Sequence, residues 1–279
     1  MQDKVAALIS ELRSKHKPLQ EMTNEELLAR AQEQADRVNK TSGNLTGYDC
    51  PVCRNKGWVE EVRENGQQAG RPCYTTGPRE CECMKIRKSK WLLKKSGLER
   101  LAARCTFDSF KTEEPWQAAI KRSAIEFTKC SCGFFFIGGQ SGCGKTHICT
   151  AMALAFINQG RETRYMLWTD EAARIKACIT DEAVYNDKMW SLKTVDVLYM
   201  DDLFKPTGAN AQPTSADIRL AYEVINYRYN AGKTTIISSE RTTSELNDID
   251  EAIAGRIKEY SEGFCINIAR DKAKNWRMK

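Results

Sequence analysis

Gly139-Gln140-Ser141-Gly142-Cys143-Gly144-Lys145-Thr146 lies between the apolar run Phe134-Phe135-Phe136-Ile137 and the stretch THICTAMALAFIN at 146–158. These eight residues match the pattern G-x-x-x-x-G-K-[ST] in full. An uncharged apolar run ending in glycines reads as a buried strand. The stretch that follows reads as a helix, stopped by Gly160. A strand, a glycine loop and a helix in that order form a phosphate cradle. The glycines let backbone N–H groups curl around phosphate oxygens, and the N-terminus of the helix adds partial positive charge.

This context predicts an ATP site. Lys145 is expected to bridge the β- and γ-phosphates and Thr146 to ligand Mg²⁺ through its hydroxyl. A magnesium site needs a carboxylate opposite the loop. The run Val195-Asp196-Val197-Leu198-Tyr199-Met200 reads as a strand and ends in Asp201-Asp202. Asp201 is expected in the Mg²⁺ shell and Asp202 where a water-activating carboxylate would stand. Other elements alternate around these: a strand over 163–167, a helix over 170–179, a helix over 215–229 and a strand over 234–237. Such alternation predicts an α/β fold with a parallel sheet flanked by helices. Polar residues after the last strand, Ser238-Ser239-Glu240-Arg241, stand where a γ-phosphate could be sensed. Arg256 is placed after a helical stretch, and an arginine there could stabilise transferring phosphate charge from a neighbouring subunit.

Upstream the pattern differs. Five of the twelve cysteines crowd into one segment, as Cys50-x-x-Cys53, Cys73 and Cys81-x-Cys83. With His16 and His147 the only histidines, a tetrahedral zinc site there would have to be all cysteine. Cys50, Cys53, Cys81 and Cys83 are the expected ligands, with Cys73 a rival for one position. Such a site would be closed and structural, folding a segment too small to fold alone. The cysteines scattered elsewhere read as small buried hydrophobes.

Two helices are expected before this segment. One spans 4–15, with Val5, Leu8, Ile9 and Leu12 at helical spacing; the other starts at a capping box, Thr23-Asn24-Glu25-Glu26. The pair either packs on the rest of the chain or docks on a partner. After the cysteines comes a basic stretch, 84–95, broken at Gly97, which reads as a tether. Its charges form a solvated helix face or contact nucleic acid. The predicted organisation is therefore an N-terminal helical segment (1–47), a zinc-binding module (48–84), a basic linker (85–104) and an ATPase domain (105–279).

The 279 residues carry 43 Lys and Arg against 37 Asp and Glu, for a net charge of +6. This is compatible with a nucleic-acid partner without establishing one. The start of the chain is charged and amphipathic, unlike a signal peptide, and no apolar run has bilayer length, so a cytoplasmic location is expected.

The ATPase half resembles the AAA+ helicase loaders of DnaC/DnaI type and the related IstB transposition ATPases. The resemblance rests on Gly-Gly-Gln-Ser-Gly-Cys-Gly-Lys-Thr-His at 138–147, Val-Leu-Tyr-Met-Asp-Asp at 197–202, Thr-Ile-Ile-Ser-Ser at 235–239 and Asn275-Trp276-Arg277. Cys-Thr-Phe-Asp-Ser-Phe at 105–110 is similar to the family's N-linker, and the cysteine module to the zinc-binding domain of such loaders. The resemblance implies an AAA+ core without a full C-terminal lid. It also implies that Phe107 lies near the adenine, that His147, next after the phosphate loop, belongs to the nucleotide-binding residues, that Ser239 and Glu240 fall at sensor 1, that Arg256 is an arginine finger and that Arg277 lies near sensor 2. Asp202 stands where many relatives have Glu, which implies slow hydrolysis. The implied partners are a hexameric replicative DNA helicase, single-stranded DNA and further copies of the chain; a DNA contact is expected in the loop 205–212 or the basic linker. The alternatives are an IstB-like transposition helper and an ATP-gated DNA-binding adaptor.

Overall fold

The computed structural model describes residues 19–68, 70–95, 99–206, 208 and 211–276. The helix expected over 4–15 and the sensor candidate Arg277 lie outside them. The chain divides into two compact units, 1–84 and 85–279.

In the first unit, helix α1 (Asn24–Asn39) begins at the capping box read from the sequence. Glu26 N–H donates to Thr23 Oγ1 at 3.2 Å, and Thr23 N–H to Glu26 Oε2 at 2.6 Å. The helix lies on an antiparallel hairpin of β1 (Trp58–Gln68) and β2 (Arg71–Glu80). The sequence reading has no strands here. The hairpin is rich in charged and polar residues and no position on it is fully buried, so the alternation that marks a half-buried strand is weak. Among the described residues of this unit, the buried apolar side chains are Ala31, Ala35 and the cysteines 50, 53, 81 and 83.

Helix α2 (Cys83–Lys95) occupies the stretch read as a tether. Its Ile86 and Ser89 are buried, and Ser89 Oγ accepts the Thr163 N–H at 2.8 Å. Lys85, Lys88 and Lys90 are exposed, so the stretch is a helix with a solvated charged face, one of the two readings its charges allow.

A short helix α3 (Glu99–Ala102) and α4 (Pro115–Phe127) lead into the sheet. The elements β3 (Phe134–Gly139), α5 (Lys145–Asn158), β4 (Thr163–Leu167), α6 (Trp168–Lys176), α7 (Glu182–Thr194), β5 (Val197–Asp201), α8 (Ser215–Asn230), β6 (Thr234–Ser239), α9 (Thr243–Asn247), α10 (Glu251–Tyr260) and β7 (Cys265–Ile268) follow. The five strands form one sheet in the order β4-β5-β6-β3-β7, and every pairing is parallel. The α/β reading holds. β3, β5 and β6 are buried at every position, which is why β3 and β5 read as apolar runs.

The differences in detail have local causes. The strand expected from Val195 starts at Val197, because the carbonyls of Val195 and Asp196 accept from Arg228 instead of a neighbouring strand. Arg256 lies inside α10 and not after a helix. Helix α7 and strand β7 were not foreseen. The first buries only Met189 and Leu192, and the second has four residues, three of them not fully buried.

Candidate functional site

In an open parallel sheet, ligands are held at the carboxyl ends of the strands. The ends of β3, β6 and β5 lie side by side here and build one cleft of about 420 Å³. Its floor is the loop from Gly139 to Thr146.

All three glycines of that loop, Gly139, Gly142 and Gly144, stand at positive φ. Gly139 has φ +135°, and a Cβ there would stand 2.4 Å from the Ile268 carbonyl oxygen of β7. Gly144 caps α5 at φ +88°, and a Cβ would meet the Phe110 ring at 3.1 Å. These positive φ values curl the loop so that its N–H groups and the start of α5 share one concave surface. Cys143 is buried in the loop, where burial pushes its thiol up. The Lys145 ammonium is buried and donates to the carbonyls of Gly139 and Gln140, each at 2.8 Å. Ser141 and Gly142 line the cleft. Gln140 faces the other way: its amide exchanges hydrogen bonds with the Asp271 backbone at 2.6 and 2.7 Å. Trp276 N–H donates to Gly142 O at 3.0 Å, so the segment after β7 straps the loop from outside.

The carboxylate opposite is Asp201, only 2% exposed at the end of β5. Three hydroxyls meet it. Thr146 donates to Oδ1 at 3.3 Å, Tyr165 to Oδ2 at 3.3 Å, and Ser238 makes a short hydrogen bond to Oδ1. Burial raises the Asp201 carboxyl above its ordinary range; the Ser238 hydrogen bond opposes this and the charge of Asp202 adds to it. Thr146 and Asp201, paired from the sequence, are therefore brought together. Tyr165 was missed, and Ser238, read only as one of several candidates to sense the γ-phosphate, was not tied to Asp201. The order β5-β6-β3 was the missing information, since β6 lies between the loop strand and the Asp201 strand.

Asp202 has φ +57° and turns into the cleft, where its carboxylate pairs with Lys205 at 2.7 Å. Ser239 does not reach Asp201: its hydroxyl donates to Leu203 O at 2.7 Å and accepts the Arg241 N–H at 3.0 Å. Glu240 lines the cleft. Phe107 is half-buried and does not line it. The aromatic packed on the loop is Phe110, edge-on to His147 at 5.3 Å. His147 Nε2 lies 3.2 Å from Ser109 Oγ and 3.0 Å from Thr106 O, tying the 105–110 segment to α5. Arg256 is directed to α8, with Nε donating to Asn226 Oδ1 at 2.9 Å and its guanidinium 5.1 Å from the Tyr222 ring.

This strand order and loop geometry have a counterpart among known proteins. The profile of the bacterial DnaA ATPase domain matches residues 101–266, more than half of the chain. The chain belongs to that AAA+ family. The phage-like element PBSX protein XkdC of Bacillus subtilis (strain 168) is 32% identical over 234 residues, covering 79% of this chain and 82% of the relative. A protein named replicative helicase loader DnaC, from Buchnera aphidicola subsp. Acyrthosiphon pisum (strain APS), is 26% identical over 201 residues, 68% of this chain and 73% of its own. The crystal structure of a DnaC helicase loader superposes with a TM-score of 0.52 at 21% identity, over 58% of this chain and 96% of that one, and so shares the fold. The AAA+ domain is of the DnaC/DnaI type that the motifs indicate. No helix among the described residues is long and apolar enough to cross a membrane.

The first unit holds a separate cluster. The sulfurs of Cys50, Cys53, Cys81 and Cys83 all lie within 4.8 Å of one another and are buried. Cys50 and Cys81 Sγ are 3.8 Å apart, Cys53 and Cys83 Sγ 3.4 Å, and none of the four is in a disulfide. A tetrahedron with zinc–sulfur arms of about 2.3 Å has edges of about 3.8 Å, so the donor set fits zinc. The Gly57 N–H donates to Cys53 Sγ at 3.3 Å. Burial works against a Cys53 thiolate, but this N–H and the neighbouring sulfurs outweigh it and lower the group from 9.0 to about 6. Cys73, in β2, is not part of the cluster.

Proposed function

We propose that the chain is an ATP-dependent loader of a hexameric replicative DNA helicase onto single-stranded DNA, with ATP binding and hydrolysis as the switch. The observation that carries this reading is the likeness to the protein named replicative helicase loader DnaC, which extends over about two thirds of both chains, joined to a cleft equipped for MgATP.

In this reading the loop N–H groups and Lys145 hold the phosphates. Thr146 and Asp201 would hold Mg²⁺, which would supply screening of phosphate charge. Ser238 and Tyr165 orient Asp201, and Asp202 orients the attacking water. Asp202 is one methylene shorter than the Glu of many relatives, which favours slow turnover suited to a switch. The sensor role assigned to Ser239 and Glu240 falls better to Ser238 and Glu240, because the Ser239 hydroxyl is committed to Leu203. Arg256 would serve a neighbouring copy's nucleotide, and Arg277 the sensor 2 position.

The cysteine cluster would hold a structural zinc. The first unit would grip the helicase, and the AAA+ domain would self-associate and hold single-stranded DNA, in the cytoplasm. The domain boundaries of this scheme place a zinc module at 48–84 and the ATPase domain from 105 onward.

The test uses the full chain, the host's replicative helicase and a closed single-stranded DNA circle coated with single-strand-binding protein. Helicase transfer to the circle that needs both the chain and ATP is expected. Absence of helicase binding, with stimulation of a transposase instead, would replace the loader with the transposition helper. Transfer that proceeds equally with the Asp202→Asn variant would reduce hydrolysis to a bystander and favour the adaptor.

A further inference from the structure

The turn after β5 is an unusual piece of backbone. Asp202 (φ +57°) and Phe204 (φ +52°) are both non-glycine residues in the left-handed region, which L-residues avoid. Such a turn persists only where its surroundings over-determine it. They do so here. Leu203 and Phe204 are buried, the Leu203 N–H donates to Ser238 O at 2.9 Å and the Asp202 N–H to Ser238 Oγ at 3.1 Å. Ser239 Oγ donates to Leu203 O at 2.7 Å, and Arg241 Nε to Phe204 O at 3.0 Å.

The consequence falls on Lys205. The sequence places it in a loop facing a nucleic acid. The turn instead folds it back into the nucleotide cleft, where its Nζ lies 2.7 Å from Asp202 Oδ2 and 3.4 Å from Glu240 Oε1. All three side chains line the cleft with Lys145 and Thr146. One ammonium faces two carboxylates, so the group has no surplus positive charge to offer a phosphate. The hydrogen bond it donates occupies one of the two Asp202 carboxylate oxygens and ties down the side chain that bears them.

We propose that Lys205 is a positioning residue that restrains the Asp202 carboxylate, and that movement of its ammonium from Asp202 to Glu240 frees that carboxylate for hydrolysis. This rests on the reading of Asp202 as the carboxylate that orients water. In that step the water oxygen bonds to the γ-phosphorus. The bond to the β,γ-bridging oxygen breaks and its electron pair leaves on ADP. The water proton passes through Asp202 to solvent. Lys205 takes no part in bond making; it sets how often Asp202 is available.

The experiment measures steady-state MgATP hydrolysis and nucleotide affinity for the full-length wild type, Lys205→Met, Lys205→Gln, Glu240→Gln, Asp202→Asn and the Asp202→Asn/Lys205→Met double variant. The lysine variants should raise kcat about threefold to fivefold with KM changed by less than about twofold, the scale of a half-exposed ion pair. Glu240→Gln removes the second seat and should lower kcat. Adding Lys205→Met to Asp202→Asn should change nothing further. A fall in kcat or a rise in KM in both lysine variants would make Lys205 a phosphate ligand and overturn the proposal, as would a lysine effect that persists with Asn at position 202. Failure of the underlying ATPase reading looks different, since wild type itself would then neither bind nor turn over MgATP.

Discussion

At the residue scale, the arrangement turns on Asp201 and the hydroxyls that meet it. Ser238 is fully buried and serves Asp201 and the Asp202 backbone at once. Replacing it with Ala leaves a buried carboxylate short of one donor and a half-buried N–H without its acceptor. Ser238→Ala should cost about 1–3 kcal/mol in urea unfolding. It should also weaken Mg²⁺-dependent nucleotide binding in a titration with and without chelator. Ser239→Ala should lower stability to a similar degree while leaving the Mg²⁺ dependence unchanged, because its hydroxyl serves the turn and not Asp201. Equal nucleotide behaviour in the two variants would refute the distinction. These two neighbours could not be told apart in the sequence. Which of them reaches Asp201 is set by the strand's alternation and by its parallel register with β3 and β5. The same holds for Lys205, whose direction depends on two left-handed residues that no local pattern announces.

At the element scale, the central strands were legible because their burial is complete on both faces. Phe134–Ile137 and Val197–Met200 read directly, and Thr163–Leu167 matched β4 end to end. The exposed hairpin and α7 were not, because charged, half-exposed elements carry no strong periodicity. One element junction depends on a single side chain. Arg228 is fully buried and donates to the carbonyls of Leu192, Lys193, Val195, Asp196 and Thr234 and to Thr235 Oγ1. It thereby closes the C-terminus of α7 and joins it to β5 and β6. Burial lowers its guanidinium to about 9, so it remains charged at neutral pH. Arg228→Met should destabilise the second unit by at least about 3 kcal/mol, read by urea unfolding, since it strands several buried carbonyls.

The start of α8 carries a second, pH-dependent example. Thr214 Oγ1 accepts the Asp217 N–H at 3.2 Å, and Asp217 receives Lys176 at 2.6 Å. Burial pushes the Asp217 carboxyl up, but Lys176 and Thr214 outweigh it and hold the group below the ordinary carboxylate range. A lowered acid stabilises the fold fully above its unfolded value, and that contribution is lost as pH falls through the lowered one. Thr214→Ala should cost about 1 kcal/mol at pH 7. The cost of Asp217→Asn should shrink as pH falls below about 4, measured by thermal unfolding across pH. A cost independent of pH would show that the charge is not what matters there.

At the scale of the whole molecule, the two units have different sources of stability. The second has an extensive apolar core on its parallel sheet. The first, among its described residues, buries two alanines and four cysteines. The four cysteines, buried together and in no disulfide, make the proposed zinc the natural staple for this unit. Removing zinc with a strong chelator should unfold the hairpin unit, seen as loss of β signal and new protease sites within 50–83, while nucleotide binding by the AAA+ domain persists. Cys81→Ser and Cys83→Ser should each reproduce this, and Cys73→Ser should not. A hairpin unit unchanged by chelation would remove the metal from the account.

The most direct test of the central claim, that the cleft at the ends of β3, β6 and β5 is an MgATP switch, is a calorimetric titration of the full chain with ATP. Wild type should bind one nucleotide per chain in a Mg²⁺-dependent manner. Lys145→Ala should weaken that binding by at least about tenfold, the scale of a lost charge-assisted contact, and Asp201→Asn should abolish its dependence on Mg²⁺. Unaltered affinity in Lys145→Ala, or binding by wild type that ignores Mg²⁺, would contradict the site described here.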